Sequence, residues 1–276
     1  MTRCPWPCPV DSVVIRAVTY EDLDPGGVAR EFADSRGMSD AGAPDYGTRR
    51  WAEWTLGRAA VRDAAETVGL TDVVIEASSK GAPIIAGSSW GVSIAHTRGV
   101  VMGAVGPGRV GVDVEREDRD VSRLLRALLP GEQELTVSLG SVSVFVAKEA
   151  AAKATGLGLG GSLARWPIID VELSGPSPRA SVASPVGGVI EVRLWEHAGY
   201  VTGLAVVQAI GLRAYVPARI TARCERHAMI DRRDRPESAL AALAKEPMDA
   251  IDSADPMLPT DRTDPMLPTD NAEPSE

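Results

Sequence analysis

Apolar positions recur at three- and four-residue intervals between Arg49 and Val68, where Trp51, Trp54, Leu56, Ala60, Val61, Ala64, Ala65 and Val68 trace one face of a long helix. Gly69 is placed to cap it. A second run, Val142–Thr155, is rich in alanine and stops at Gly156 and Gly158, so it predicts another long helix. Strand-like segments precede it at Val13–Val18, Val73–Ala77, Gly91–Ala95, Val100–Val105 and Arg109–Glu115, and follow it at Ile168–Leu173, Val189–Trp195 and Tyr200–Gln208. The turn Gly106-Pro107-Gly108 predicts a hairpin between Val100–Val105 and Arg109–Glu115. Leu124–Leu129 reads as a short helix closed by Pro130, and residues 1–11, rich in proline and cysteine, read as loose. Each half offers one long helix and antiparallel strands, an α+β arrangement.

From about Ile210 the periodicity fails, apart from a short helical stretch at Ser238–Lys245. The tail holds a nine-residue repeat that starts at Asp255 and again at Asp264, too few copies for a solenoid. Residues 246–276 contain six prolines, and nine acids against one base, so disorder is expected. The rival reading takes Met257-Leu258 and Met266-Leu267 as a duplicated docking peptide. The formal charge of −9 therefore belongs to the tail, leaving the remainder near −1. Arg232, Arg233 and Arg235 are interleaved with Asp231 and Asp234, which argues against a nucleic-acid stripe.

A chain of 276 residues, 44% hydrophobic, can bury one full core or two small ones. It has no run of eighteen apolar residues and no basic-then-apolar N-terminus, so neither a membrane span nor a signal peptide is expected and the cytoplasm is the expected compartment. Three cysteines do not make a disulfide scaffold. Cys4, Cys8, Cys224 and His227 would suit a zinc ion if the termini met; isolated reduced thiols are the favoured reading.

The chemistry concentrates in two segments. On a strand, Asp113 and Glu115 leave the same face while Val112 and Val114 enter the core. On a helix, Glu149 and Lys153 stand one turn apart. Three carboxylates with the ammonium groups of Lys148 and Lys153 are what a magnesium ion holding a pyrophosphate would require. Taken singly, each residue has a plainer explanation. An Asp-x-Glu at a strand end is usually a solvated rim, Glu149 with Lys153 could be a surface ion pair of about 0.3–0.5 kcal/mol, and His96 could be an ordinary core or surface histidine. Arg50, Arg58 and Arg62 could form the wet face of a helix, although Arg50 and Arg58, eight apart, share one direction.

In their order along the chain these segments resemble the 4′-phosphopantetheinyl transferases of the surfactin type, and within them the group associated with siderophore synthesis. The resemblance spans roughly residues 12–210. It is carried by Arg50, Ala52-Glu53, Gly57-Arg58 and Arg62 on the first helix, by Lys80-Gly81-Ala82-Pro83, by Ser93 to Thr97 with His96, and then by the acidic pair and the Lys148-Glu149 helix. It implies a pseudo-twofold pair of similar α+β subdomains, residues 12–112 for coenzyme A and 113–212 for metal and catalysis, followed by a tail at 213–276. It further implies a holo-carrier-protein synthase that moves phosphopantetheine from coenzyme A to a serine of an acyl, peptidyl or aryl carrier protein and releases adenosine 3′,5′-bisphosphate. Asp113, Glu115 and Glu149 would hold Mg²⁺, with Glu149 as base for the serine and Asp113 and Lys153 completing the catalytic set. Arg50, Arg58, Lys80, His96, Lys148 and Lys153 would grip coenzyme A. No nucleic-acid or membrane partner is implied, and an internal pseudo-dimer favours a monomer.

Four departures from the family pattern stand out. Ala95 stands where a serine is common, so a hydroxyl contact to coenzyme A is expected to be missing. Ile84-Ile85 replaces the aromatic and proline that often follow the Gly-x-Pro turn. Phe145 replaces a tryptophan, as is usual in the siderophore group. The 116–147 segment is short, and in relatives this region helps dock the carrier. These changes keep open a degenerate homologue that binds coenzyme A or carrier without turnover. A metal-dependent phosphohydrolase would use the same carboxylates but lacks the second ligand cluster such enzymes show, and no Gly-x-Ser-x-Gly elbow supports a serine hydrolase. Asp113 and Glu149 are both expected to be exposed in a cleft. Because the tail lies outside the resemblance, deleting residues 246–276 is expected to leave transfer to a free carrier domain unchanged; a large rise in KM for the carrier would show docking instead.

Overall fold

The computed structural model describes residues 1–32, 44, 45, 47–175 and 177–207. The repeat, the Ser238–Lys245 stretch, Cys224, His227 and residues 208–212 of the expected second subdomain lie outside the described residues.

In chain order the elements are β1 (Thr2–Pro5), β2 (Val14–Thr19), α1 (Pro25–Phe32), α2 (Arg49–Thr67), β3 (Ile75–Ala77), β4 (Pro83–Ile85), β5 (Trp90–Thr97), β6 (Val100–Pro107) and β7 (Arg109–Arg116). They continue with α3 (Ser122–Leu125), α4 (Leu135–Leu139), α5 (Ser141–Thr155), β8 (Ile168–Glu172), β9 (Arg179–Ala183), β10 (Val189–His197) and β11 (Tyr200–Val207). The strands form an antiparallel sheet in the order β1-β2-β6-β5, a second in the order β7-β11-β10-β9-β8, and a small β3-β4 ribbon. Among the described residues no single helix is long and apolar enough to cross a membrane.

Helix α2 begins where Thr48 Oγ1 accepts a hydrogen bond from the Trp51 amide at 3.1 Å, a side-chain N-cap. It buries Ala52, Leu56, Ala60 and Ala64. Contact with β6 is so close that a Cβ on Gly103 would fall 2.5 Å from the Val61 amide nitrogen. The alanine-rich α5 lies across β7 and β11 in the same way, and a Cβ on Gly111 would meet the Ala150 carbonyl oxygen at 2.1 Å and the Ala154 nitrogen at 2.3 Å. Small residues on both partners let backbone approach backbone, and Val144, Trp166, Val182, Val192 and Leu194 fill the core beside that contact.

The structure corrects the sequence expectations at several points. Residues 1–11 are not loose: β1 pairs with β2, and Trp6 is 4% exposed. The Trp6 indole N–H donates to Thr202 Oγ1 at 3.2 Å and its ring stands edge-on to His197 at 4.7 Å. One aromatic thus ties the first strands to the second sheet. The expected β6–β7 hairpin is not formed either. After Gly108 the chain changes sheets, and all eight residues of β7 pair with β11. Residues 109–112, expected in the N-terminal subdomain, therefore belong with the second sheet. Between the sheets, β5 and β7 lie side by side, joined where the Val112 amide donates to Ser93 Oγ at 3.0 Å.

Lys148 is also placed differently from the expectation. It is wholly buried rather than directed at a phosphate, because its ammonium donates to Glu132 Oε1 at 2.6 Å and to the Leu163 carbonyl at 3.1 Å. Glu132 also accepts from the Ile168 amide at 2.7 Å and the Leu129 amide at 3.0 Å. Burial lowers the Lys148 pKa and the Glu132 hydrogen bond opposes that shift. This pair pins the Pro130–Glu132 turn, and with it the start of β8, to α5. The expected Leu124–Leu129 helix is reduced to α3, whose first turn is held by Asp120 accepting from the Ser122 amide at 2.9 Å.

Gly111→Ala is expected to cost about 2–3 kcal/mol, since the overpacked Cβ meets rigid backbone, read as a lower urea midpoint at unchanged slope. Lys148→Met should cost about 3–5 kcal/mol by leaving Glu132 buried without its counter-charge. The double variant Lys148→Met, Glu132→Gln should be the more stable of the two; additive losses would contradict the pairing.

Candidate functional site

The pleat of β7 sends Val112 and Val114 into the core beneath the sheets and turns Asp113 and Glu115 the other way, towards α5 and the end of β5. There Asp113, Glu115 and Glu149 line one cavity of about 1030 Å³ with His96, Thr97, Arg119 and Phe145. The two strand carboxylates are only 6% exposed, against the expectation that Asp113 would be open to solvent, while Glu149 is half-buried. Each strand carboxylate already has a cation. Asp113 Oδ1 accepts from Lys153 Nζ at 2.7 Å. Glu115 pairs with Arg119 and accepts from Thr97 Oγ1 at 2.9 Å.

Asp113 Oδ2 is buried with no hydrogen-bond partner, which costs free energy unless another species completes it. With Glu115 and Glu149 on the same cavity wall, this orphaned oxygen fits a hard divalent cation, which takes oxygen ligands and retains positions for water or phosphate. Among the described residues no three acidic, histidine or cysteine side chains stand close enough to form a preformed metal cluster. Lys153 and Arg119 hold the strand carboxylates in its place.

Of the residues expected at coenzyme A, His96 lines the carboxylate cavity, its Nδ1 3.7 Å from Glu53 Oε2. Lys80 lines a second cavity of about 560 Å³ with Trp90, Gly108, Arg109, Leu157 and Lys153. Lys153 thus borders one cavity while its amine reaches Asp113 in the other. Arg50 is exposed in the first turn of α2 and lines neither cavity. Arg58 is not on a wet face: it is 6% exposed, with its guanidinium 3.6 Å from the centroid of the Trp54 ring. Burial and the neighbouring Arg62 bring its pKa down to about 10, so it remains charged at neutral pH. The Arg58 Nε and the Arg62 Nε and Nη2 are buried without partners. Ala95 is 1% exposed in the core, so a hydroxyl there would face packed side chains rather than either cavity.

Thr97, Arg119 and Glu132 carry contacts that sequence reasoning did not single out. Thr97 adjoins His96, and Arg119 lies four residues after Glu115, spacings that were available as signals. Glu132 had no local signal, because its partners Lys148 and Ile168 are distant in the chain.

Residues 44–106 match the family model of the 4′-phosphopantetheinyl transferase N-terminal domain, and residues 109–205 match that of the 4′-phosphopantetheinyl transferase superfamily. No curated protein matches the chain. The break between the matches falls at the turn where the chain changes sheets. The first matched segment carries α2, Lys80 and His96, and the second carries Asp113, Glu115, Glu149 and Lys153. With its two halves matched in this order, the chain belongs to the 4′-phosphopantetheinyl transferase superfamily.

Proposed function

We propose that this protein transfers phosphopantetheine from coenzyme A to a serine of a carrier protein, using Mg²⁺ and releasing adenosine 3′,5′-bisphosphate. The observation that carries the reading is the buried, unpartnered Asp113 oxygen in a cavity that also presents Glu115, Glu149 and His96. Asp113, Glu115 and Glu149 would hold the ion. Once bound, it would offset the negative charge that grows as the phosphoanhydride breaks.

The remaining work falls to this chain's own side chains. Glu149, half-buried and hence able to meet a partner's side chain, takes the proton of the serine hydroxyl as its oxygen bonds to phosphorus. Lys153 stands between the two cavities, where its ammonium stabilises or protonates the departing phosphate oxygen. His96 and Lys80 hold phosphate groups of coenzyme A from opposite sides of that lysine. Arg58 and Arg62, with buried N–H groups lacking acceptors, are further candidates for an anion if α2 and its neighbours adjust. Each half consists of a sheet with one long helix, in keeping with a pseudo-twofold relation between them, and Phe145 is in keeping with the siderophore-associated group of the surfactin type.

A second reading, binding of coenzyme A or carrier without turnover, is favoured by one observation: Glu115 is occupied by Arg119. Intact-protein mass separates the two. After incubation with coenzyme A and magnesium, an apo carrier domain is expected to gain one phosphopantetheine, and EDTA is expected to abolish the gain. Binding of coenzyme A with no gain on fatty-acid, polyketide and peptide carriers would favour the second reading.

Asp113→Asn and Glu149→Gln are each expected to lower the transfer rate by about 10²-fold or more, Glu149 through loss of the base. Both should remain folded, Glu149→Gln with a urea midpoint near that of the parent and Asp113→Asn with a lower one, because it gives up the ion pair with Lys153. Near-normal turnover of either variant with magnesium would refute the assigned roles.

A further inference from the structure

Beyond β7 the chain turns back on itself, the Arg119 amide donating to the Arg116 carbonyl at 3.1 Å. Within that turn Asp118 takes the Arg116 side chain in a two-pronged pair, both contacts at 2.7 Å. The Arg119 guanidinium reaches back to Glu115 and pairs with it directly. Its central carbon also stands 4.9 Å from the centroid of the Phe145 ring, one turn before Glu149 on α5.

This is not a loose surface pair. The Glu115 side chain is 8% exposed and that of Arg119 39%. Thr97 fixes the other carboxylate oxygen from the β5 side. A cation that enters alone must separate the buried Glu115 carboxylate from Arg119 and then stand beside the displaced guanidinium, positive charge next to positive charge. A diphosphate arriving with the cation removes that repulsion, because a guanidinium binds phosphate oxygens at two points. Each ligand then favours the other by the same factor.

We infer that Arg119 is a resident counter-cation which makes metal binding at Asp113 and Glu115 conditional on the diphosphate of the co-substrate. When both arrive, Arg119 releases Glu115 to the ion and turns onto a phosphate oxygen. The inference rests on reading this cavity as a metal and diphosphate site. It assigns Arg119, which lies just beyond the acidic strand in the second matched segment, the role of setting the order of assembly.

The test is Mn²⁺ binding to the full chain, followed by the electron paramagnetic resonance of the free ion, with and without coenzyme A. Arg119→Gln keeps a stem over Phe145 and loses the charge. It is expected to bind Mn²⁺ alone about 10-fold more tightly than the parent and to lose about 10-fold of the coupling to coenzyme A. Arg119→Lys, which keeps the charge, should retain most of the coupling. Equal Mn²⁺ affinity and equal coupling in the parent and Arg119→Gln would overturn the inference while leaving the metal site standing. A parent protein that binds no Mn²⁺ even with coenzyme A would overturn both.

Discussion

The contact of α5 on β7 at Gly111 is the constraint on which the candidate site depends. A side chain at position 111 would collide with the Ala150 carbonyl, so only glycine lets the helix lie this close to the strand. That closeness sets the helix side chains against the strand carboxylates. Lys153 meets Asp113, and Glu149 faces the same cavity one turn earlier. The period of two along β7 and of about 3.6 along α5 then determines which residues can meet. Valines 112 and 114 hold the strand in the core from below, while alanines do so for the helix from above. A bulkier helix would fill the same volume, but its carboxylate would stand farther from the strand.

Charge organises the site at a second level. Buried carboxylates need partners, and here lysine and arginine supply them for Asp113 and Glu115. The two cationic partners differ in origin. Lys153 comes from a helix locked to the sheet, so its amine is fixed to within the play of one side chain. Arg119 comes from a turn beyond the strand and is partly open to solvent. Lys148 shows the opposite use of the same chemistry: its charge is fully enclosed, satisfied by Glu132 and a carbonyl, and serves the attachment of the 116–147 region to α5.

Much of this was legible in the sequence. The 3.6-residue pattern placed both long helices within a residue or two of their observed ends, and strands with β-branched runs, such as Val100–Val105, were evident. Asp113, Glu115, Glu149 and Lys153 were legible as a set because strand and helix periodicities fix facing residues locally. What failed was non-local. Nothing adjacent to Gly108 says that the next strand leaves its sheet, because hairpins and sheet changes use the same Gly-Pro-Gly turn. Lys148 looked like a phosphate ligand since its partner lies sixteen residues back, in a segment without periodicity. Trp6 sat among prolines and cysteines, and only the position of Thr202 makes it a core residue. Short elements such as β4 and β9 carry too few residues for a pattern to emerge.

The pairing of β7 with β11 also bears on how the chain reaches its fold. Along the sequence the acidic strand is made long before β11, its ladder partner among the described residues, and loop closure over that distance is slow relative to local helix formation. Until β11 arrives, one edge of a Gly-Val-Asp-Val-Glu strand is open, and an apolar strand in that position would invite pairing with a neighbouring chain. Charges within an open edge oppose such pairing. The two carboxylates of the candidate site are therefore also charges of the kind that discourage pairing between half-made molecules before β11 joins β7.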